Sequence, residues 1–389
     1  MNDAAPAGTA QWVRHVLAVH WGGAWGDAVI GPLTVDGAAP LTHTAGLWRV
    51  TAPDAAPGRD HVLKVQLHAE AVRPARFDAL KDRVLAHCAR LAVPVLPAVR
   101  AADGRPVVRH DGVPCELLPH APGARASGGR ASDGRASDGR ASDGRASDGR
   151  AQAEAIAATG LDLREALDSL PRDVTAELAD VHLPLLVDEE HWPTALRDAL
   201  GRLLPAAERG AGDDPWRRAA ARVLRELRDA EPLLPGAPQA PTHPRVVHGD
   251  LHVHHFLLTP AHPPGATDDG PARVRAVLDF DNLQVADPLL DLAWTADTVA
   301  LACGPDTAAA REVLAGLLRS AYRRGLMRPG DERLLMPLLL AHSLPVIVDI
   351  AKDILDRDVL EPQWLAYFEL LSPARRLAVH ALLTDPAPH

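Results

Sequence analysis

The sequence predicts an α+β protein in which a small, β-rich N-terminal region precedes a mainly helical C-terminal region. Three observations support this prediction. Short β-like runs such as "HVLKVQL" (61–67) are concentrated before residue 119, whereas apolar residues recur at helical spacing over most of the chain after residue 152. A pentamer array separates the two regions, and 389 residues are enough for two domains. We therefore place boundaries at 1–119, 120–151 and 152–389.

The N-terminal region is predicted to contain a small antiparallel sheet and one long helix. Residues 11–20 have helical spacing, and 47–53 and 61–67 are β-like runs separated by the turn-forming "DAAPGRD". In 76–91 the apolar residues fall at 77, 80, 84, 88 and 91, which is the spacing of an amphipathic helix. Short strands follow, joined by an Asp-Gly turn at 103–104.

The pentamer array "GRASD" runs from Gly129 to Ala151. A period of five matches no solenoid repeat, and Gly, Ser, Asp and Arg cannot form an apolar face. We expect a disordered insert. A partner-binding arm is the alternative, because Arg exceeds Asp within the array.

The C-terminal region is predicted to be helical except at 245–281, where short strands flank a Pro/Gly-rich loop at 260–272. The predicted helices span 174–187, 193–204, 214–232, 287–302, 307–325, 331–358 and 362–384. The candidate chemistry lies on the hairpin that interrupts them.

Composition excludes several classes of protein. The formal net charge of -10 argues against nucleic acid or an anionic membrane as the main partner. The first residues, "MNDAAPAGTAQWVRH", lack a basic segment followed by an apolar one, so we expect no secretory signal. Three cysteines without framework spacing (Cys88, Cys115, Cys303) favour a cytoplasmic location. The apolar stretch 334–351 contains two prolines and an aspartate, which favours a buried helix pair over a membrane span.

Two acidic residues, Asp250 in "VVHGDLHVHHFLL" and Asp279 in "VRAVLDFDNLQVADPLLDLAW", each follow an apolar β-branched run. Paired carboxylates at strand ends suit phosphoryl transfer, in which one acid orients and deprotonates a hydroxyl while the other holds Mg²⁺ against the phosphates. Taken singly, either aspartate is equally well explained as a turn or cap residue.

In this order the two blocks resemble the family of aminoglycoside phosphotransferases, choline kinases and homoserine kinases, which are small-molecule relatives of protein kinases. The family's catalytic loop reads H-G-D-x-x-x-x-N, and its metal-binding turn reads D-[WFL]-[DE] followed by a D-P-x-x-D-L-A helix. The resemblance implies a two-lobed, protein-kinase-like fold with a small antiparallel N-lobe and a mainly helical C-lobe. It is firm at 245–294 and does not identify the substrate.

By this resemblance, Asp250 is the base that accepts or orients the proton of the substrate hydroxyl, and His248 packs and hydrogen-bonds within the catalytic loop. Asp279 chelates Mg²⁺ between the β- and γ-phosphates, and Asp281 either assists the metal shell or caps the next segment. Two further acids are interpreted as structural: Asp287 as a helix cap before Pro288, and Asp291 as a tie between that helix and the loop backbone.

The N-terminal region offers candidate nucleotide contacts. Lys64 is one of only three lysines among 41 basic residues, and a strand lysine in related kinases binds the α- and β-phosphates. The helix after it has no glutamate, so Asp78 or Asp82 must serve as its partner acid, and Asp82 is favoured.

Two shorter segments complete this set. In "LLPHAPG" the carbonyl of Pro119 and the N–H of Ala121 suit the adenine edge. The segment "LTHTAGLWRV" (41–50), with the single glycine Gly46, is a weak candidate for the loop that covers the phosphates.

One departure from the family pattern concerns the metal. The family's asparagine falls on His255 in this chain, and imidazole suits Mn or Zn better than Mg²⁺. His255 then binds metal less well (with Mn²⁺ as an alternative ion), or only maintains the loop, or marks a relative that has lost activity. A zinc site on the four histidines of 248–255 is disfavoured, because they lack the spacing of known zinc motifs and no cysteine pair accompanies them.

These observations together predict an ATP- and Mg²⁺-dependent phosphotransferase that acts on a hydroxyl of a small molecule, such as an aminoglycoside, choline or homoserine. The alternative is a weak or inactive ATP-binding pseudokinase that acts as a scaffold. Acidic residues in "VDIAKDILDRD" (Asp349, Asp353, Asp356) would suit a cationic acceptor, but a solvated helix face explains them as well.

Overall fold

The computed structural model describes most of the chain. The described residues are 7–34, 40–42, 44–52, 60–68, 72–125, 140–181, 187, 191–210, 212, 214–235, 243–259, 272–304 and 306–385. Their contacts divide the chain into two compact units. Unit 1 comprises 1–125, 166–186 and 254–284, and unit 2 comprises 126–165, 187–253 and 285–389.

Most predicted helices and strands are present in the predicted order, but the helix predicted at 362–384 is two helices, because Ser372 and Pro373 begin a new one. The helices are α1 (Ala10–Trp21), α2 (Ala75–Arg90), α3 (Arg140–Asp168), α4 (Arg172–Ala179), α5 (Trp192–Asp198), α6 (Leu204–Gly210), α7 (Pro215–Ala230), α8 (Leu289–Cys303), α9 (Thr307–Arg323), α10 (Glu332–Lys352), α11 (Pro362–Leu370) and α12 (Pro373–Thr384). The strands are β1 (Val29–Pro32), β2 (Ala45–Thr51), β3 (His61–Gln66), β4 (Val107–His110), β5 (Val113–Pro119), β6 (Ala124–Arg125), β7 (Arg245–Val247), β8 (Phe256–Leu258), β9 (Val274–Val277) and β10 (Gln284–Ala286).

Unit 1 is built on a five-stranded sheet of order β1-β2-β3-β5-β4, in which all neighbours are antiparallel. One face of this sheet shares a core with α1, because alternate strand residues such as Leu63, Val65 and Leu117 are buried together with Trp12 and Val16. Successive side chains in a strand point to opposite faces, so the residues between these apolar ones lie on the other face.

Helix α2 follows the amphipathic pattern expected for it. Phe77, Leu80, Val84 and Cys88 are buried, which confirms four of the five predicted positions, whereas Leu91 lies after the helix and is exposed. The same face also buries Lys81, whose spacing from Phe77 and Val84 places it within that stripe.

A three-stranded sheet of order β6-β8-β9 completes unit 1. The sequence boundaries assigned this hairpin to the C-terminal region, but 254–284 groups with unit 1. Two contacts account for the difference: β8 pairs with β6, and Val277 N–H donates to Pro94 O at 2.6 Å.

Unit 2 is mainly helical, and α8 is its most buried helix, since every residue of α8 except Leu301 is buried. Helix α3 approaches α8 closely at Gly160, where an added Cβ would lie 2.5 Å from Thr295 Oγ1. Strands β7 and β10 pair in a two-stranded sheet.

Helix α3 corrects one expectation about the array. It begins at Arg140, so residues 140–151, predicted to be disordered, are helical, while 126–139 lie outside the described residues. Ala and Arg favour helix, and each interior Gly costs only about 1 kcal/mol relative to Ala. The array also continues directly into a segment whose Ala153, Ile156 and Leu161 are buried, which anchors the helix.

Helix α10 and the π-helical segment that continues it (together Glu332–Arg357) are long and apolar enough, by length and composition, to cross a membrane. In the structure 67% of the most apolar window is buried, as in the core helix of a globular unit. The expected helix pair is a single helix that contains Pro337 and Pro345, because burial compensates the backbone hydrogen bonds that proline removes. The predicted α+β fold class, an antiparallel sheet followed by a mainly helical region, is confirmed.

Candidate functional site

Unit 1 contains a cluster of two ammonium groups and three carboxylates. Lys64 Nζ lies 2.9 Å from Asp279 Oδ1 and 2.8 Å from Asp281 Oδ2. Lys81 Nζ lies 2.8 Å from Asp281 Oδ1 and 2.9 Å from Glu116 Oε2. Asp281 therefore joins both lysines, one on each oxygen.

Sheet register explains why Lys64 and Glu116 share a face. They are direct partners on the neighbouring antiparallel strands β3 and β5, and partners opposite each other point to the same side of a sheet. Lys81 comes from the buried stripe of α2. Asp279 and Asp281 come from the turn that follows β9.

The backbone at Asp279 is left-handed, with φ 61° and ψ 68°, a conformation that aspartate tolerates better than most residues. Although burial by itself raises the pKa of a carboxyl, the ammonium of Lys64 outweighs burial and lowers the pKa of Asp279 to about 2. The Asp279 carboxylate is therefore ionised at neutral pH.

The lysines are also fixed in their charged forms. Burial alone lowers the pKa of both lysines. The carboxylates of Asp279 and Asp281 raise the pKa of Lys64 above the ordinary range. Those of Asp281 and Glu116 do the same for the pKa of Lys81. For Asp281, burial raises the pKa and the two ammonium groups lower it far more. Both lysines and both aspartates therefore carry full charges at neutral pH.

A buried arginine also binds the turn after β9 that carries Asp279 and Asp281. Arg73 Nε donates to Asp281 O at 3.0 Å and Nη2 donates to Asn282 Oδ1 at 3.2 Å. Arg73, Lys81 and Glu116 are not among the site residues predicted from the sequence. A signal for Lys81 was present, since it is one of three lysines and falls within the apolar stripe of α2.

The predicted partner acid for Lys64 is corrected. The Asp82 carboxylate accepts a hydrogen bond from Arg100 Nη2 at 2.7 Å, and the Asp78 carboxylate accepts one from Arg109 Nη2 at 2.8 Å. Asp82 does not pair with Lys64 because Lys81, between the two aspartates on α2, is the residue that this helix directs at the cluster.

His255 is brought to Asp279 by the β8–β9 hairpin. Phe256 pairs with Val277, and Leu278 N–H donates to His255 O at 2.9 Å, so the residue before β8 faces the residues after β9. The Nε2 atom of His255 lies 3.7 Å from Asp279 Oδ2. An imidazole nitrogen and a carboxylate oxygen are thus close enough to share a cation.

A cavity in the same unit combines the charged cluster with apolar walls. The charged groups of the cluster, including Asp279 and Asp281, line it together with Leu85, Leu96 and Leu118. Apolar walls beside charges of both signs suit a ligand that has one apolar part and one charged part.

Gly46 is placed differently from the expectation of a loop. It lies within β2, paired with Val65, and an added Cβ would meet Leu67 Cδ1 at 3.2 Å. Regular pairing with β3 keeps residues 45–50 in the strand. Pro119 ends β5, and His120 N–H donates to Asp60 O at 2.8 Å.

In unit 2 the carboxylate of Asp291, on α8, binds the backbone of the loop 248–250. Its Oδ2 accepts the His248 N–H at 3.0 Å, and its Oδ1 accepts the Gly249 N–H at 3.2 Å. Arg164 of α3 donates to Asp291 Oδ2 at 2.8 Å and to Val246 O at 2.7 Å. The structure thus has Asp291 tying helix to loop, and adds Arg164, which the sequence did not suggest.

The backbone conformation of Gly249 and the hydrogen bonds to its carbonyl also fix this loop. Its φ of +81° is unfavourable for other residues, and its carbonyl accepts from Trp294 Nε1 at 3.3 Å and from His342 Nε2 at 3.0 Å. A carbonyl only accepts, so Nε2 of His342 carries the proton. Burial lowers the pKa of His342 in spite of the nearby charge of Asp250, which keeps the ring neutral.

Asp250 has its backbone fixed and its side chain partly exposed. Its N–H donates to His248 Nδ1 at 3.3 Å, and its carboxylate is 29% exposed. His252 Nε2 lies 3.9 Å from Asp250 Oδ2. At the start of α8, Asp287 Oδ1 accepts the Leu289 N–H at 3.0 Å, although Pro288, and not Asp287, occupies the N-cap position. The loop therefore presents one carboxylate on a rigid backbone.

Known proteins resemble this chain mainly in fold. No curated protein matches it in sequence. A spectinomycin phosphotransferase in complex with ADP and spectinomycin superposes with a TM-score of 0.55 at 10% identity, over 97% of this chain and 98% of that chain. An amicoumacin kinase in complex with AMP-PNP, Ca²⁺ and its antibiotic gives 0.53 at 13% identity, over 98% and 96%.

A microcompartment-associated aminopropanol kinase gives a TM-score of 0.52 at 15% identity, over 95% of both chains. The model of the phosphotransferase enzyme family matches residues 48–327, which contain Lys64, Asp250 and Asp279. This match confirms the resemblance seen in the catalytic-loop and metal-turn motifs. The chain belongs to the phosphotransferase enzyme family.

Proposed function

We propose that this protein is an ATP-dependent kinase that transfers the γ-phosphoryl group to a hydroxyl of a small molecule, either an antibiotic or a metabolite. The observation that carries the proposal is the 2.9 Å contact between Lys64 Nζ and Asp279 Oδ1, residues 215 positions apart in the chain. Membership of the phosphotransferase enzyme family gives the reaction class.

The nucleotide fits the cavity of unit 1 by chemistry. Leu85, Leu96 and Leu118 offer apolar surface for the adenine ring, and Lys64 offers an ammonium group for the α- and β-phosphates. Two structural neighbours are complexes with the adenine nucleotides ADP and AMP-PNP. The Pro119 carbonyl and the Ala121 N–H stay our prediction for the adenine edge.

A divalent cation fits the donor set at Asp279. Its carboxylate is ionised and 37% exposed, so hard oxygen donors are accessible, and His255 adds a nitrogen donor 3.7 Å away. We assign Asp279 and His255 as the residues that would hold Mg²⁺, with Mn²⁺ suited better to the imidazole. When bound, the ion supplies positive charge to the phosphates.

Asp250 is the proposed base. Its carboxylate would orient the acceptor hydroxyl and take its proton as the oxygen attacks phosphorus. The contacts of Asp291, Trp294 and His342 with the loop support this role, because they fix the backbone that carries the carboxylate. Preorganisation of this kind lowers the barrier without any movement during the reaction.

The acceptor itself is specified least by the chain. The three acids considered for a cationic acceptor already have arginine partners: Arg357 contacts Asp349 at 3.2 Å and Asp353 at 2.7 Å, and Arg202 contacts Asp356 at 2.7 Å. Acids neutralised in this way favour a cationic acceptor less than their sequence suggests. We therefore propose the acceptor only as a hydroxyl compound.

The proposal is tested by measuring phosphoryl transfer from ATP to a panel of aminoglycosides, macrolides, choline, homoserine and sugars, with Mg²⁺ or Mn²⁺. We expect turnover on at least one acceptor, and its loss in Asp250→Asn and Asp279→Asn. Lys352→Met is the control, because this lysine contacts Asp198 in unit 2 and has no part in the proposed chemistry. Full activity in Asp250→Asn would refute the assignment of the base.

A second candidate function is favoured by His255, which stands where the family has asparagine. In that case the protein binds ATP but does not transfer phosphate, and acts as a scaffold. Tight nucleotide binding without turnover on any acceptor, and without basal ATP hydrolysis, would favour this candidate.

A further inference from the structure

Two of the three lysines in this chain meet at one carboxylate. Lys64 contacts Asp281 Oδ2 and Lys81 contacts Asp281 Oδ1, each at 2.8 Å. The chain has 41 basic residues, of which only these two and Lys352 are lysine. Both lysines therefore occupy positions where arginine, the usual cation of this chain, is not used.

The geometry at Lys81 explains the choice of lysine. Its side chain is only 6% exposed, and its single nitrogen contacts both Glu116 and Asp281. An ammonium group is a compact point charge with three donors, whereas a guanidinium is a planar fork with five. At Lys81 a single nitrogen contacts carboxylates from two different elements, which a compact ammonium group does from one point.

We propose that Asp281 is the acid that orients Lys64, and that Lys81 is a positioning residue that holds Asp281, with Glu116 balancing the charge of Lys81. This arrangement reverses the expected one, because α2 supplies a cation to the cluster and the acid comes from the turn after β9. The inference rests on the proposed function in one respect, that Lys64 binds the phosphates of a nucleotide.

The contacts of the two aspartates support different roles. Both oxygens of Asp281 contact ammonium groups, its backbone carbonyl accepts from Arg73 Nε at 3.0 Å, and its side chain is 21% exposed. Asp279 has one oxygen on Lys64 and the other 3.7 Å from His255 Nε2, and it is 37% exposed. The contacts of Asp281 thus fix its position, whereas Asp279 is the more accessible donor for a cation.

Three separate elements meet at Lys81 and would fix Lys64 through it. Lys81 belongs to α2, Glu116 to β5 and Asp281 to the turn after β9. Glu116 is also the direct cross-strand partner of Lys64. Loss of the Lys81 ammonium would free Oδ1 of Asp281, so the carboxylate that contacts Lys64 through Oδ2 would no longer be held in one orientation.

The test uses the double variant Lys81→Met/Glu116→Gln. Lys81→Met alone leaves a buried carboxylate without its partner, which destabilises the fold, whereas removing both charges together avoids this penalty. Lys352→Met is the matched control, since it removes the remaining lysine, which lies in unit 2. Thermal unfolding of the full chain checks that the double variant stays folded.

The readout is ATP affinity without divalent metal, measured by calorimetry in the presence of a chelator. We expect the double variant to bind ATP about 10- to 100-fold more weakly than the wild type, by analogy with the loss of groups that orient metal-binding residues. Lys352→Met is expected to bind as the wild type does. A triple variant that adds Lys64→Met is expected to lose no more affinity than Lys64→Met alone, because Lys81 acts through Lys64.

Two results would overturn the inference: wild-type ATP affinity in a folded double variant, or losses from Lys64→Met and from the double variant that simply add. If the wild type binds ATP but phosphorylates no acceptor, the proposed function fails while the affinity comparison still decides the role of Lys81. If the wild type binds no ATP, both fail.

Discussion

The buried contact between Arg164 and Asp291 gives the sharpest prediction about stability. Both side chains are at most 1% exposed, and the guanidinium of Arg164 lies 2.8 Å from Asp291 Oδ2. The variant Arg164→Met retains an unbranched aliphatic chain at this position but removes the positively charged guanidinium. Asp291 would then keep its backbone donors, His248 N–H and Gly249 N–H, but would lose its counter-charge.

The magnitude follows from this loss. Removing one partner of a buried ion pair typically costs about 3–5 kcal/mol, because the other charge stays buried without compensation. Arg164 also donates to Val246 O at 2.7 Å, and a lost hydrogen bond to a buried carbonyl contributes about 1 kcal/mol within that range. The double variant Arg164→Met/Asp291→Asn removes both charges and keeps an acceptor for the loop, so we expect it to recover about 1–3 kcal/mol.

The assay is urea unfolding at neutral pH, with the midpoint and slope fitted for each variant. Arg83→Met is the control, since Arg83 contacts Glu177 at 2.9 Å with both side chains more than 40% exposed, and such pairs contribute about 0–1 kcal/mol. If Arg164→Met loses no more stability than Arg83→Met, or if the double variant is destabilised by the sum of the two single changes, the reasoning is wrong.

Three further predictions concern the helix packing, the pH dependence and the metal. Gly160→Ala places a methyl group 2.5 Å from Thr295 Oγ1 and is expected to cost about 1–3 kcal/mol of stability. Gly316→Ala, whose methyl group would meet Arg319 Nη2 at 3.9 Å, an ordinary van der Waals distance, is expected to be neutral or stabilising in the same unfolding assay. Burial raises the pKa of Asp78 to about 6, so the folded state binds this proton more tightly than the unfolded chain does. Wild type should therefore gain stability relative to Asp78→Asn, by up to about 3 kcal/mol, as the pH falls from about 7 to about 4; a constant difference would contradict this. His255→Asn is expected to shift the ratio of Mg²⁺- to Mn²⁺-supported activity toward Mg²⁺, and an unchanged ratio would exclude His255 as a metal ligand.

The fold was predictable where one sequence period dominated a segment. Helix α2 spans Ala75–Arg90 where the apolar spacing of 76–91 indicated it, and β3 spans His61–Gln66 within the β-like run 61–67. Helix α2 buries one face and exposes the other, and β3 alternates buried Leu63 and Val65 with half-buried residues, which is the condition under which periodicity is informative. The helical copies of the array were missed because composition alone does not reveal that a repeat is joined to an anchored helix.

The prolines of α10 show a related limit. Pro337 and Pro345 argue locally for breaks, yet α10 runs through both, because burial of an apolar helix outweighs the loss of single backbone hydrogen bonds. Local signals of this kind compete with tertiary packing, and only the structure shows which one dominates.

The parts of the candidate site that lie within sequence motifs were predictable. The loop at Asp250 and the turn at Asp279 were identified from their order in the chain, and the tie from Asp291 to the loop is present as expected. Motifs do not predict the residues that support these segments. Arg164, His342 and Arg73 do so by donating to backbone carbonyls, and a carbonyl has no sequence signature.

The partner of Lys64 shows most clearly why sequence order misleads. Searching the next helix for an acid assumes that the helix supplies the negative charge, yet α2 directs Lys81 at the cluster and the acids come from β5 and from the turn after β9. Strand register decides the matter, because Glu116 stands directly opposite Lys64 only if β5, and not β4, is the neighbour of β3. That pairing depends on which strands meet in the sheet, a property that the spacing of residues along the chain does not contain. A lysine inside an apolar helical stripe, in a chain that otherwise uses arginine, is therefore a sequence signal for a buried charge cluster whose remaining members must be found in the structure.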